Sequence, residues 1–152
     1  MHRNADVQAA YVEHLTQRNE IGDVSCDICR LIIEKPVTLE GRELAYVCVV
    51  ENEFPYMNND GRSVELHHMI VPRDHCSKNA DLSEETRKEL HDTIDALLDD
   101  GTYHSAYSRS SYNPAVSVPL HLHTHLFTFG SKVTKQVFDL ESGVNDIEFE
   151  TS

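Results

Sequence analysis

No stretch of this 152-residue sequence is apolar for long enough to span a bilayer. No apolar run follows the opening Met1-His2-Arg3-Asn4-Ala5-Asp6, so a secretory signal is not expected. Internal repeats and low-complexity linkers are also lacking, which argues against arrays and tethered modules. Basic residues are scarce. The 13 Lys and Arg against 26 Asp and Glu leave a formal charge of −13, which disfavours a general nucleic-acid surface. A small phosphorylated ligand stays open, because local donors matter more to it than net charge. Four cysteines without an export signal point to a reduced, cytoplasmic setting.

What is present suits one domain over residues 1–152, with a core from about 22 to 130 and an acidic extension from 131 to 152. That extension carries Asp139, Glu141, Asp146, Glu148 and Glu150, read as a solvated tail. Residues from about Asp6 to Arg18 lack Gly and Pro and predict a leading helix. Leu44 to Val50 and Leu66 to Val71 read as strands, the second halted by Pro72, with a turn signal at Asn58-Asn59-Asp60-Gly61 between them. The clearest helix spans about Ser83 to Asp99, with Asp81 as its cap, Glu84 three residues on, and Gly101 as its stop. A short strand is expected at Tyr103 to Tyr107, and a longer one from about Leu120 to Thr128. The expected class is α+β, a mainly antiparallel sheet of about five strands with one long helix and an N-terminal helix.

Two constellations carry chemistry. Cys26-x-x-Cys29 lets two thiolates reach one metal ion from a turn, although a redox pair or two buried thiols would share the spacing. A tetrahedral zinc site needs two more ligands, for which His75 and His121 are candidates and Cys76 a rival; Cys48, inside an apolar strand, reads as core. The second constellation is His121-Leu122-His123-Thr124-His125. In a strand, alternate residues share a face, so the three imidazoles would line up while Leu120, Leu122, Thr124 and Leu126 turn to the other side. Such a row can be hydrogen-bonded packing, a metal-binding set, or a nucleophile with proton-handling neighbours. His2, His14, His91 and His104 read as surface or packing residues.

The pattern resembles the histidine-triad family, whose signature is His-x-His-x-His followed by apolar residues. The segment His67-His68-Met69-Ile70-Val71-Pro72-Arg73-Asp74-His75 resembles that family's run of a histidine, an apolar strand, a proline and a second histidine. Asp81-Leu82-Ser83-Glu84-Glu85 resembles the opening of its long helix, and Cys26-x-x-Cys29 sits where many members carry a paired-cysteine knuckle. The likeness covers roughly Cys26 to Phe127. It implies a histidine-triad-like fold, a homodimer, and hydrolysis or transfer at the α-phosphate of a nucleotide conjugate such as a phosphoramidate or dinucleoside polyphosphate. His123 would be the nucleophile, forming a covalent nucleotidyl-imidazole, with His125 and His67 beside the phosphate. The base would rest in an apolar cleft against the strand from Leu44 to Val50. Resemblance to the zinc-bearing branch, which includes galactose-1-phosphate uridylyltransferase-like proteins, makes Cys26, Cys29, His75 and His121 ligands of a structural zinc. Transferases of that branch commonly carry glutamine where this chain has His125, so the resemblance favours a hydrolase. Two other readings stand beside it: a metallohydrolase with the triplet as ligands, and a zinc-stabilised nucleotide-binding module without turnover.

The chain departs from the family before the triplet. Where many members have Gly-Gln-Ser, it reads Asn113-Pro114-Ala115-Val116-Ser117-Val118-Pro119, which puts apolar Val118 near the place of a phosphate-contacting hydroxyl. Ser117, Arg109 and Asn113 are the candidate substitutes for those contacts, with Ser110 and Ser111 nearby; a plain polar loop is the competing reading.

Overall fold

A computed structural model describes residues 2–20, 26–110, 112–116, 118–143 and 145–151. In chain order the elements are α1 (Ala5–Glu20), α2 (Asp27–Glu34), β1 (Val47–Glu51), β2 (Asn58–Asn59), β3 (Arg62–Pro72), a 3-10 turn (Asn79–Asp81), α3 (Glu84–Asp99), β4 (Ser105–Ser108), β5 (Thr124–Phe138) and β6 (Asn145–Phe149). The architecture is α+β with an open antiparallel sheet in the order β1-β3-β5-β4; β2 pairs with β3, and β6 with β5. The chain divides into two compact units. The first comprises Met1–Val24, Glu53–His67 and Thr128–Ser152, and the second Ser25–Asn52 and His68–Phe127.

In the second unit β1 runs antiparallel to the end of β3, with Val49 opposite Ile70, and β4 runs antiparallel to the start of β5, with Tyr107 opposite His125. Side chains alternate between two cores. Val47, Val49, Ile70 and Leu126 pack with Leu90 and Leu97 of α3 and with Tyr103. Cys48, Val50, Met69 and Val71 pack with Ile28 and Leu31 of α2. Both faces of β1 are therefore consumed by core packing. The apolar cleft expected against this strand is not formed by Val47 to Val50, because each of those side chains is buried. A truncation such as Leu97→Ala in this core costs about 2–5 kcal/mol.

Several boundaries differ from the sequence reading, each for a local reason. β1 starts at Val47 rather than Leu44 because the amides of Ala45, Tyr46 and Val47 are taken by the Glu89 carboxylate, at 3.0, 2.6 and 2.9 Å. Ser83, not Asp81, caps α3: its Oγ accepts the Thr86 amide at 3.1 Å, and Asp81 is used in the preceding 3-10 turn. The cysteine knuckle opens a helix, α2, with Cys26 as its cap. Gly101, at φ +76°, ends α3 as expected.

In the first unit, Asn59 and Arg62 pair across Asp60 and Gly61, both at positive φ (50° and 70°), giving a two-residue hairpin loop at the expected turn. Arg3 lies between the rings of Tyr11 and Tyr56, 4.1 and 4.6 Å from their centroids, and donates to the Phe54 carbonyl. The segment read as an acidic extension holds the second half of β5 and all of β6, which pair with Phe138 opposite Asn145. Gly130 lies so close to Glu65 that a Cβ there would collide with its carboxylate.

Candidate functional site

Cys26, Cys29, His75 and His121 converge, with one donor atom from each within 4.8 Å of the others. Cys26, itself in extended backbone, caps α2, and Cys29 lies in the first turn of that helix; the Cys29 amide donates to Cys26 Sγ at 3.4 Å. The His121 ring, 1% exposed, donates from Nε2 to the Pro72 carbonyl at 2.8 Å. That bond leaves the Nδ1 lone pair directed at the two thiols, 3.3 Å from Cys26 Sγ and 3.4 Å from Cys29 Sγ. His75 Nδ1 is 3.5 Å from Cys29 Sγ. A tetrahedral zinc with bonds of ~2.3 Å to sulfur and ~2.0 Å to nitrogen has S···N edges of roughly 3.5 Å, so the four residues fit a closed structural site. Burial pushes the Cys29 thiol up and the adjacent Cys26 adds to it, against a smaller opposite pull from its backbone hydrogen bond, so a thiolate at Cys29 is favoured by a cation beside it. Burial likewise lowers His121, keeping its ring neutral. Cys76, the rival ligand, directs its thiol to the Lys78 carbonyl at 3.1 Å, while its own carbonyl accepts the Leu122 amide at 2.7 Å.

That last bond explains a second difference from the sequence reading. His121 and His123 precede the strand, which begins only at Thr124. The Leu122 amide goes to Cys76 and the His121 side chain to the cysteines, so the backbone here joins no ladder. His123 is instead held by its neighbour: its Nδ1 donates to the His121 carbonyl at 3.0 Å, which leaves the lone pair on Nε2. Burial holds its pKa below the ordinary imidazole range, the hydrogen bond to the His121 carbonyl works the other way, and the Arg109 charge lowers it further. The His123 and His125 rings are perpendicular, with centroids 5.1 Å apart. His125, 6% exposed, lies parallel to Phe127 two residues on, at 6.0 Å.

The other candidates fall in different places. The Arg109 guanidinium lies 5.3 Å from the Tyr107 ring centroid, and its charge reaches His123. Asn113 uses its side-chain oxygen to accept the Ala115 amide at 2.9 Å, shaping the loop. Ser117 lies outside the described residues. Val118, near the place of the family's phosphate-contacting hydroxyl, packs against the core that holds Ile28 and Leu31. His67 belongs to the first unit, where it accepts the Tyr56 amide at Nδ1 (3.0 Å), stacks on the Tyr56 ring and lines a cavity of about 240 Å³.

Two polar features went unread in the sequence. From a helix Glu89 binds the amides of Ala45, Tyr46 and Val47 at the entrance to β1, and nothing in its spacing marks it. His68 Nδ1 lies 2.6 Å from the Tyr103 hydroxyl. Burial raises Tyr103 to about 12 and lowers His68, against a smaller pull from Glu51, so the neutral phenol donates to a neutral imidazole. The signal available was alternation along β3, which sends His68 to the face opposite His67.

No family model matches the chain. No curated protein matches it either. Among solved structures it is similar to a HIT family hydrolase from Clostridium thermocellum, at 22% identity over 70% of this chain and 91% of that one, with a TM-score of 0.48. A HIT family hydrolase from Legionella pneumophila gives 16% identity over 68% and 92%, with a TM-score of 0.47. A histidine triad nucleotide-binding protein from Candida albicans gives 16% over 77% and 88%, with a TM-score of 0.48.

Proposed function

We propose that this chain is a histidine-triad-type hydrolase that cleaves nucleotide conjugates at the α-phosphate through a nucleotidyl-His123 intermediate. The observation that carries the reading is the state of His123: a neutral ring whose Nδ1 proton is held by the His121 carbonyl, so that Nε2 is the nucleophilic nitrogen. In the first step Nε2 forms a bond to the α-phosphorus while the bond from phosphorus to the leaving group breaks, and the leaving group takes a proton by way of His125. In the second step water attacks phosphorus, gives up its proton by way of His125, the N–P bond breaks, and the His123 ring returns to its starting tautomer. His125, with its ring 5.1 Å from that of His123, is assigned to proton transfer, and Arg109 to charge developing on the phosphoryl oxygens. His67 is assigned to the same phosphate on resemblance alone, as are Ser117 and Asn113, the homodimer and a cytoplasmic setting. Cys26, Cys29, His75 and His121 would hold a zinc ion that stabilises this part of the chain. Among the described residues, only His121 of the triplet enters that cluster, which disfavours a metallohydrolase built on all three histidines.

The test uses an adenosine phosphoramidate with a fluorescent amine as leaving group. Wild type should release the amine, and rapid quenching followed by mass spectrometry should find a nucleotidyl mass on the peptide containing His123. His123→Ala should lose on the order of 10³-fold or more in kcat/KM and show no adduct. Turnover that survives in His123→Ala would overturn the assignment, and nucleotide binding without turnover in wild type would leave a binding module.

A further inference from the structure

A cavity of about 530 Å³ in the second unit lies among α3, the 3-10 turn and the β4–β5 pair. Its size falls within the range of small-molecule sites. Leu82, Leu90 and Ile94 make an apolar wall continuous with the core. The polar lining is mostly donor-bearing, with Asn79 adding an amide and a carbonyl. Arg87 and His91, one turn apart on α3, supply N–H donors, and Ser108 and Thr124 supply hydroxyls from adjacent strands. One of the guanidinium's five N–H groups goes to the Asn79 carbonyl at 2.9 Å. The Ser108 and Thr124 oxygens are 2.6 Å apart, so one hydroxyl donates to the other and the accepting hydroxyl keeps its own proton to donate onward. None of the described lining residues is Asp or Glu, in a chain where acids outnumber bases 26 to 13. On the outer side, Arg87 and His91 also border a recess with Glu84, Glu85, Lys88 and Asp92, where Lys88 and Asp92 are paired.

We propose that this cavity binds a small amphipathic anion, a planar apolar body carrying one carboxylate or phosphate monoester. The body would lie against Leu82, Leu90 and Ile94, and the anion would accept hydrogen bonds from Arg87, His91 and the Ser108–Thr124 hydroxyl pair. Thr124 is flanked by His123 and His125 and points, by strand alternation, away from the His125 side. An occupant would thus hold the first rung of the β4–β5 ladder, where Ser108 faces Thr124, from behind the histidines. The proposal does not depend on the phosphoryl chemistry assigned to His123.

The experiment is an amide NMR titration of the full chain with benzoate and with phenyl phosphate, and with inorganic phosphate and benzyl alcohol as half-ligands. At least one ring-bearing anion should shift the amides of His91, Ile94, Ser108 and Thr124, and bind roughly ten-fold tighter than either half-ligand. Which of the two binds better identifies carboxylate or phosphate as the preferred group. Arg87→Gln, on an exposed helix position, should weaken that binding about ten-fold, and Thr124→Val, which keeps the side-chain shape, several-fold. His123→Ala should leave it unchanged. Shifts confined to Arg109 and His123, equal binding of benzyl alcohol, or unaltered affinity in both Arg87→Gln and Thr124→Val would overturn the proposal. So would loss of binding in His123→Ala.

Discussion

Glu89 shows how much one side chain can organise. From α3 its carboxylate accepts the amides of Ala45, Tyr46 and Val47, three donors at the entrance to β1 that no strand partner takes. Burial alone would raise its pKa; the three amide hydrogen bonds and the Arg73 charge outweigh it and leave the group below the usual carboxylate range. A depressed folded-state pKa sets the sign. The stabilisation is complete above the unfolded carboxylate value and is lost as pH falls through the lower folded one. Glu89→Gln should therefore destabilise the protein by about 1 kcal/mol at pH 7, a modest figure because the group is partly open to solvent. Urea unfolding should show the gap between the two proteins closing as pH falls from about 5 towards 3; a gap that stays constant would mean that the charge on Glu89 is not what binds the amides.

Elements were legible in the sequence where one local signal decided them, and misplaced where a distant group took the backbone bonds. The long helix, the Asp60-Gly61 turn and the Gly101 stop rest on chemistry within a few residues, and all three are found. The starts of β1 and β5 depend on Glu89 and Cys76, 42 and 46 residues away from the amides they accept, and no local pattern announces that. The helix cap is a closer contest. Asp81 and Ser83 both suit an N-cap, but only Ser83 directs an oxygen at the Thr86 amide. Ser83→Ala should lower stability by about 1 kcal/mol and Asp81→Ala by much less, a difference that paired thermal melts would detect; the reverse order would return the cap to Asp81. In the Cys2His2 cluster the spacing of Cys26-x-x-Cys29 is local and legible, whereas His75 and His121 came as candidates from resemblance to the zinc-bearing branch; the Leu122–Cys76 hydrogen bond that ties their segments together has no local signal. On the zinc assignment proposed above, Cys29→Ser should abolish metal binding by the purified protein and lower its melting temperature by on the order of 10 °C. His123→Ala should keep a full complement by elemental analysis. Loss of metal in His123→Ala would place that ring in the ligand set and remove it as nucleophile.

At the scale of the whole molecule, charge is what the sequence states outright and what no single contact reveals. The described ion pairs, Arg30 with both Asp27 and Glu34, Arg42–Asp100, Lys88–Asp92 and Lys135–Glu148, lie at or near the surface. Solvent-exposed pairs of this kind contribute little, and salt screens them. Against them stands a formal charge of −13. Two like charges 10 Å apart in water repel by about 0.4 kcal/mol, and the uncompensated carboxylates form far more such pairs than there are ion pairs to lose. Unfolding spreads these charges apart, so the repulsion weighs on the folded state. Raising sodium chloride from about 0.02 to 0.5 M shortens the screening length from roughly 20 Å to 4 Å, which removes most of that repulsion together with the small benefit of the pairs. The repulsive sum is the larger, and the melting temperature should rise by a few degrees, about 1 kcal/mol of added stability. A melting temperature that falls with salt would show that the ion pairs outweigh the excess, and that the acids are placed more favourably than their number implies.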